Sequence, residues 1–141
     1  MRALLFHCKN YGNKIGKLAD RPSNVAPEDI RENEQSCEDC VVALITIEKG
    51  DNISINAHAL ADEIAKMTFE VKRESVVILP FAHLSNNLAN SEDSLKCLDI
   101  IEKDLAKQKF KVHRSHFGSH KELLLDIYGH PGNARYREFY L

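Results

Sequence analysis

The sequence predicts an α/β (α+β) domain: mixed sheets forming a small barrel-like core, with two main helices packed outside. Three observations carry this expectation. Short apolar and β-branched runs recur around residues 3–6, 41–47 and 76–79. Two other stretches, near residues 57–71 and 95–105, place their apolar residues at helical spacing instead. Further strand-like segments lie toward both ends of the chain, so strands and helices alternate only in the middle. No glycine-rich phosphate loop follows the first strand, which argues against a simple doubly wound sheet.

Residues 2–8 read as a short buried strand around Ala3, Leu4, Leu5 and Phe6. Residues 9–39 read as a long surface excursion, punctuated by Gly12, Gly16, Pro22, Ser23, Asn24 and Pro27 and polar from 31 to 34. Within it a short edge strand is expected at residues 14–18. Residues 40–48 form the clearest strand, because 41–47 are mostly apolar or β-branched. A helix is expected over 56–73, where Leu60, Ile64, Met67 and Val71 repeat beside Ala57, Ala61 and Ala65. Residues 75–81 are another buried strand, stopped by Pro80. Asn90 or Ser91 suits the cap of a second helix, with Glu92 and Asp93 favourable in its first turn. Leu95, Leu98, Ile101 and Leu105 give that helix its apolar stripe. Residues 110–116 and 122–128 read as two more strands joined around Phe117-Gly118-Ser119, and the tail 131–141 has no clear period. There is no internal repeat, linker or second domain, so residues 1–141 read as one domain.

Composition narrows the function classes. The 141 residues are 43% hydrophobic with a formal net charge of −2, enough for a real core but without the basic excess of a chain that grips nucleic acid alone. Any nucleic acid would be held through a local patch or with help from another domain or subunit. No run is long enough to span a bilayer, and the apolar stretch at 3–6 is too short for a signal peptide. A cytoplasmic location with no membrane contact is therefore expected, with the four cysteines reduced.

Each candidate chemistry has a plainer reading. Cys37-x-x-Cys40 supplies only half of a structural zinc site, and it precedes a strand rather than opening a helix. Two incidental cysteines at a strand entry are the simpler account. His113, His116, His120 and His130 crowd the last third, but their surroundings read as strand and turn, which suits hydrogen-bonding histidines better than a zinc site. Gly118-Ser119-His120 is not a nucleophile elbow. Cys8 beside His7 suits a buried structural thiol. No spacing singles out an acid/base pair among the 21 carboxylates. Two features survive. One is Pro80-Phe81-Ala82-His83-Leu84-Ser85, where a strand ends at a proline and leaves backbone groups free to meet a ligand. The other is Phe117-Gly118-Ser119-His120-Lys121, a glycine turn entering a strand that starts with a lysine.

These residues together resemble the N-terminal editing domain of archaeal-type threonyl-tRNA synthetases, which shares its fold with D-aminoacyl-tRNA deacylases. The resemblance runs through Met1-Arg2-x-Leu4-Leu5-x-His7, Val42-Ala43-x-Ile45 to Glu48-Lys49, Pro80 to Ser85 with Leu88-Ala89, Phe117-Gly118 with Lys121, and Gly129-His130-Pro131. It implies hydrolysis of serine wrongly esterified to threonine tRNA, in a pocket built largely of backbone, with water positioned by the 2′-hydroxyl of the terminal adenosine. It implies that Lys121 and His83 act at the reacting end, and that Ile45, Pro80, Phe81, Ala82, Phe117 and His120 bind the substrate. No metal or cofactor is implied here; ATP and zinc belong to the separate aminoacylation domain. The implied partners are the tRNA 3′ end carrying serine, a second copy as a homodimer, and the rest of a longer synthetase in cis. The D-aminoacyl-tRNA deacylases and an inactive binding or dimerisation module are the alternatives.

The resemblance departs at two places. The family commonly has a tyrosine just before the lysine, where this chain has His120. It also has a glutamate after His-Pro, in a segment that reads here Gly132-Asn133-Ala134-Arg135-Tyr136-Arg137. Glu138 or Glu122 is then the expected acidic partner of Lys121.

Overall fold

The chain forms, in order, β1 (Arg2–Leu18), β2 (Glu34–Thr46), α1 (Ile53–Glu70), β3 (Ser75–Pro80), a 3-10 turn (Ala82–Leu84), α2 (Ser91–Lys107), β4 (Lys111–Arg114), β5 (Ser119–Ile127) and β6 (Ala134–Glu138). This computed structural model describes residues 1–20 and 25–140. The strands make one mixed sheet in the order β4-β3-β2-β1-β5, with β6 also on β1. β2, β3 and β4 run parallel. β1 is antiparallel to each of its neighbours.

β1 is the spine of this sheet. One of its edges pairs with β2, from Arg2 opposite Thr46 to Lys14 opposite Glu34. The other edge is divided: β6 takes Arg2 to Phe6, and β5 takes Cys8 to Leu18.

Alternation then sorts side chains to two faces. On one, Leu5, Val41, Ala43, Ile45, Val76 and Ile78 pack against Leu60 and Ile64 of α1 and Leu98, Ile101 and Leu105 of α2, all buried. Asn52 caps α1 by accepting from the Ile55 amide at 3.1 Å. Asn90, rather than Ser91, caps α2 by accepting from Asp93 at 2.8 Å. The opposite face carries a second cluster of Cys8, Tyr11, Cys40, Val42, Leu44, Val77 and Leu79.

What covers this second face is the sheet itself. β3 and β2 lie between β4 and β1, yet Tyr11 Oη meets Oγ of Ser115, just after β4, at 2.9 Å. Asn13 Nδ2 donates to both, at 2.7 and 2.8 Å, and Gln35 Nε2 donates to the Arg114 carbonyl at 3.2 Å. The outer half of the β1–β2 hairpin therefore folds back over the sheet. The bend falls at Asp39, whose φ of 47° is left-handed, and at a register shift between Cys8 and Asn10 against β5. The product is a half-barrel with the helices outside.

Several sequence expectations change. The excursion over 9–39 is half strand: β1 runs on to Leu18, absorbing the edge strand expected at 14–18, and β2 starts at Glu34. These arms lack an apolar stripe because Tyr11, Asn13, Gln35 and Ser115 face inward as a hydrogen-bonded polar group. The expectations for Pro22, Ser23 and Asn24 fall outside the described residues. The tail holds β6, an edge strand whose inward alternation is arginine rather than apolar. Arg135 pairs with Glu70 at 2.6 Å and Arg137 with Glu63 at 2.8 Å, both on α1. α1 begins three residues before the expected start and β5 three before its own. In α2, Cys97 is fully buried and Leu95 only half-buried.

The polar group at Ser115 gives a direct test. Tyr11→Phe removes the hydroxyl that bonds both Asn13 and Ser115 and is expected to cost about 1–2 kcal/mol. Urea unfolding should show this as a lower midpoint with an unchanged slope.

Candidate functional site

β2 and β3 are parallel, so their C-terminal ends open on the same rim of the sheet, a common place for a ligand. Ile45 pairs with Pro80 as the last rung. Pro80 has no N–H to continue the ladder, and the chain leaves the sheet there. The exit is fixed by two bonds: the Phe81 amide donates to the Ile45 carbonyl at 2.9 Å, and the Thr46 hydroxyl donates to the Phe81 carbonyl. Ala82–Leu84 then make a single 3-10 turn with no side-chain cap. The first amides of such a turn have no partner within it. Ala82 and His83 are exposed, and the Phe81 and His83 rings meet edge-on at 5.0 Å.

The facing wall is the turn from β4 to β5. Phe117 packs against the helix-side core. Gly118 has a φ of +91°, and a Cβ there would sit 2.7 Å from the Pro27 Cα. Only glycine meets both demands. The Ala19 amide donates to the Gly118 carbonyl at 2.9 Å. Glu28 completes the clasp: its amide donates to the Phe117 carbonyl at 3.2 Å, and its Oε1 accepts from the Phe117 amide at 2.8 Å. Its Oε2 pairs with Arg114 at 3.2 Å, and its carbonyl lies 2.6 Å from His116 Nε2.

Between these walls is a cavity of about 340 Å³. All eight sequence-predicted residues, Ile45, Pro80, Phe81, Ala82, His83, Phe117, His120 and Lys121, line it. Thr46, Leu88, Ala89, Ser91 and Ser94 line it too and were missed, as were Ala19 and Val25. Thr46 carried a signal, since it is the one polar residue within the apolar run 41–47. No carboxylate or thiol lines the cavity among the described residues.

Its charge is Lys121. Burial lowers this ammonium to about 8, and the Glu28 carboxylate pulls the other way. Among the described residues the Lys121 Nζ donates only to the Ser119 carbonyl, at 3.4 Å, a long bond. This corrects the expected acidic partner. Glu138 bonds Tyr136 and faces Arg2, while Glu122 is exposed along a separate groove. Ala134 lies opposite Phe6, outside the cavity. The carboxylate that acts on Lys121 is Glu28, in a loop with no sequence signal of its own. His120, beside Lys121 on β5, is exposed at the rim.

Of the other histidines singled out, His116 and His130 are hydrogen-bonded. His116 Nδ1 lies 2.9 Å from Ser119 Oγ, and His130 Nε2 lies 2.7 Å from His7 Nδ1. No group of metal-ligating side chains gathers among the described residues. Cys8 is buried and burial pushes its thiol up to about 11, which suits a structural role. No helix described is long and apolar enough to cross a membrane.

Residues 1–139 match the family model described as the archaea-specific editing domain of threonyl-tRNA synthetase. The chain belongs to this family. It is 36% identical over 131 residues to a threonine–tRNA ligase editing subunit of Saccharolobus solfataricus, covering 93% of this chain and 32% of that protein. It is 34% identical to a threonine–tRNA ligase of Thermococcus onnurineus and 32% identical to one of Staphylothermus marinus, covering 93% of this chain and 21% of each. The chain thus spans a fifth to a third of the length of these relatives. Its fold is similar to a solved structure named c-Myc DNA unwinding element binding protein, with a TM-score of 0.72, 10% identity and full coverage of both chains. At that identity the likeness concerns the fold alone.

Gly118→Ala tests how the wall is held. It is expected to destabilise the protein by more than about 1 kcal/mol. It should also raise amide exchange in residues 25–28 above that in β3, because Pro27 must move away.

Proposed function

We propose that the cavity hydrolyses L-serine mis-esterified to threonine tRNA, as the proofreading step of a threonyl-tRNA synthetase. The observation that carries this reading is a half-buried ammonium, Lys121, facing the backbone of Pro80 to His83 across a small cavity, in a chain of the editing-domain family.

The chemistry needs selection against threonine. Serine lacks one methyl, and a site that favours threonine gains only about 1–3 kcal/mol from that group. A second, smaller site that admits serine and clashes with threonine supplies the remainder. Ile45, Ala82 and Phe117 are the walls that set this size. The backbone at Pro80 to His83 reads the amino-acid end, with Phe81 and His83 shaping it and His120 at the mouth. The cavity holds no carboxylate or thiol among its described lining, which suits attack by water rather than by an enzyme nucleophile. The 2′-hydroxyl of the terminal adenosine orients that water. Lys121 and the free amides at the start of the 3-10 turn oppose the charge that grows on the ester oxygen. The reading needs no metal or cofactor in this domain.

In this reading, most of the tRNA grip is left to the rest of a longer synthetase, which the near-neutral charge of this chain supports. Pairing as a homodimer belongs to the same reading, and sedimentation at micromolar concentration measures it.

The assay offers serine- and threonine-charged threonine tRNA to the protein, with D-aminoacyl tRNAs alongside. Release of serine but not threonine is expected. Serine release no faster than without protein would make this an inactive module, and preferential release of D-amino acids would assign the D-aminoacyl deacylase activity instead.

Two variants refine the site. Lys121→Met is expected to abolish serine release while stabilising the fold by about 1 kcal/mol at pH 7, a figure that allows for solvent screening of the charge. The sign follows from the lowered ammonium. The folded state sheds its proton near pH 8, while the unfolded chain keeps it to about 10.4. The wild type therefore gains stability as pH rises across that interval, and Lys121→Met should not. Glu28→Gln keeps the bond to the Phe117 amide but removes the charge. Lys121 should then titrate at lower pH, measured by NMR of the lysine side chain, with a parallel shift in the pH profile of serine release.

A further inference from the structure

We propose that Cys37 and Cys40 form a hydroperoxide-reactive dithiol, in which Cys37 is oxidised first and Cys40 resolves it to a disulfide within β2.

In a regular strand, residues three apart point to opposite faces. Here they do not, because the half-barrel bends between them. Glu34, Ser36 and Glu38 alternate outward with Gln35 and Cys37 inward, and then Asp39 is exposed as well. The left-handed Asp39 resets the alternation, and Cys40 turns inward again on the same side as Cys37. Both cysteines join the second core cluster. Cys40 Sγ lies 3.8 Å from the Cys37 carbonyl, and Cys37 Sγ lies 3.8 Å from the Glu38 carbonyl, which keeps both thiols at the bend. The bend is held by Tyr128, whose hydroxyl donates to the Asp39 carboxylate. The constraint that closes the barrel is thus what brings the thiols together.

The two sulfurs are unlike. Cys37 is half-buried and reachable, whereas Cys40 is fully buried. The neighbouring Cys40 thiol lowers Cys37 to about 6, against the opposing effect of burial, with His113 of β4 and the Ser75 hydroxyl of β3 assisting and Glu38 resisting. The proximity of Cys37, followed by burial and the charges of Cys37, Cys8 and Asp39, pushes Cys40 upward. Tyr11 faces both thiols from β1. Near neutral pH, Cys37 is thus the thiolate and Cys40 the proton holder, the division of labour that a resolving pair needs.

The chemistry balances with a hydroperoxide as oxidant. The Cys37 thiolate attacks the O–O bond, takes one oxygen as a sulfenic acid, and releases hydroxide. The Cys40 sulfur then attacks the Cys37 sulfur, the S–S bond forms, and the sulfenic oxygen leaves as water with the Cys40 proton. Two electrons pass from the dithiol to hydrogen peroxide, which ends as two waters.

The test treats the whole chain with hydrogen peroxide at pH 7 and maps the products by peptide mass spectrometry. A Cys37–Cys40 linkage with loss of two hydrogens is expected, unchanged in Cys8→Ser and Cys97→Ser. Cys40→Ser should leave a sulfenic acid on Cys37 that dimedone traps, and Cys37→Ser should trap none on Cys40. In the untreated protein, iodoacetamide labelling of Cys37 should reach half its maximum near pH 6, and Cys40→Ala should raise that midpoint by about one pH unit or more. A first sulfenic acid on Cys40, a labelling midpoint that Cys40→Ala leaves in place, or no Cys37–Cys40 linkage when free cysteine in the same tube is fully oxidised would each overturn the proposal. None of these readouts depends on tRNA.

Discussion

A single strand, β1, sets the geometry of everything around it. At 17 residues it is three times the usual strand length, and both of its edges are committed. A strand this long does not stay flat, since twist accumulates along it. Its outer half, with β2 and β5, swings over the parallel strands and seals the face that no helix covers. That swing brings the first residues of β5 to the open ends of β2 and β3. Lys121 sits opposite Ile15 of β1 in register, yet shares a cavity with Ile45 and Phe81. The cavity is the gap left where a curled sheet meets its own far end.

The electrostatics of that gap follow from its construction. An ammonium drawn from water is costly unless paired, and Lys121 has only a long bond to a carbonyl and a carboxylate acting from Glu28. Glu28 is itself shared with Arg114 and the Phe117 amide, so it moderates the cost without neutralising it. The chain accepts an incompletely satisfied cation on the wall of its cavity. Such local expense is common at sites that do chemistry.

Much of this was legible in the sequence, for physical reasons that differ by element. β2, β3 and the two helices announced themselves because their buried faces are apolar and periodic. The outer arms of β1 and β2 did not, since they bury Tyr11, Asn13 and Gln35 as a polar group that reads as loop. β6 was hidden because its inward residues, Arg135 and Arg137, answer glutamates on α1 rather than a hydrophobic core. Pro80 and Gly118 marked the two segments that face the cavity, while the choice of the eight residues that line it, Ile45 and His120 among them, came from the family resemblance. Glu28 was not found, because nothing in its neighbours marks a carboxylate that will cross 89 positions of sequence to meet Phe117.

The Pro27–Gly118 contact has a consequence for how such a pocket changes over time. The cavity's facing wall is positioned by a surface loop leaning on a glycine as well as by the packing of Phe117 on the core. Replacements along 25–28 can therefore resize the pocket while the interior of α1, α2 and the parallel strands stays as it is. Pocket size and core packing thus rest on different parts of the chain, which leaves an inherited scaffold free to drift in the shape of its cavity.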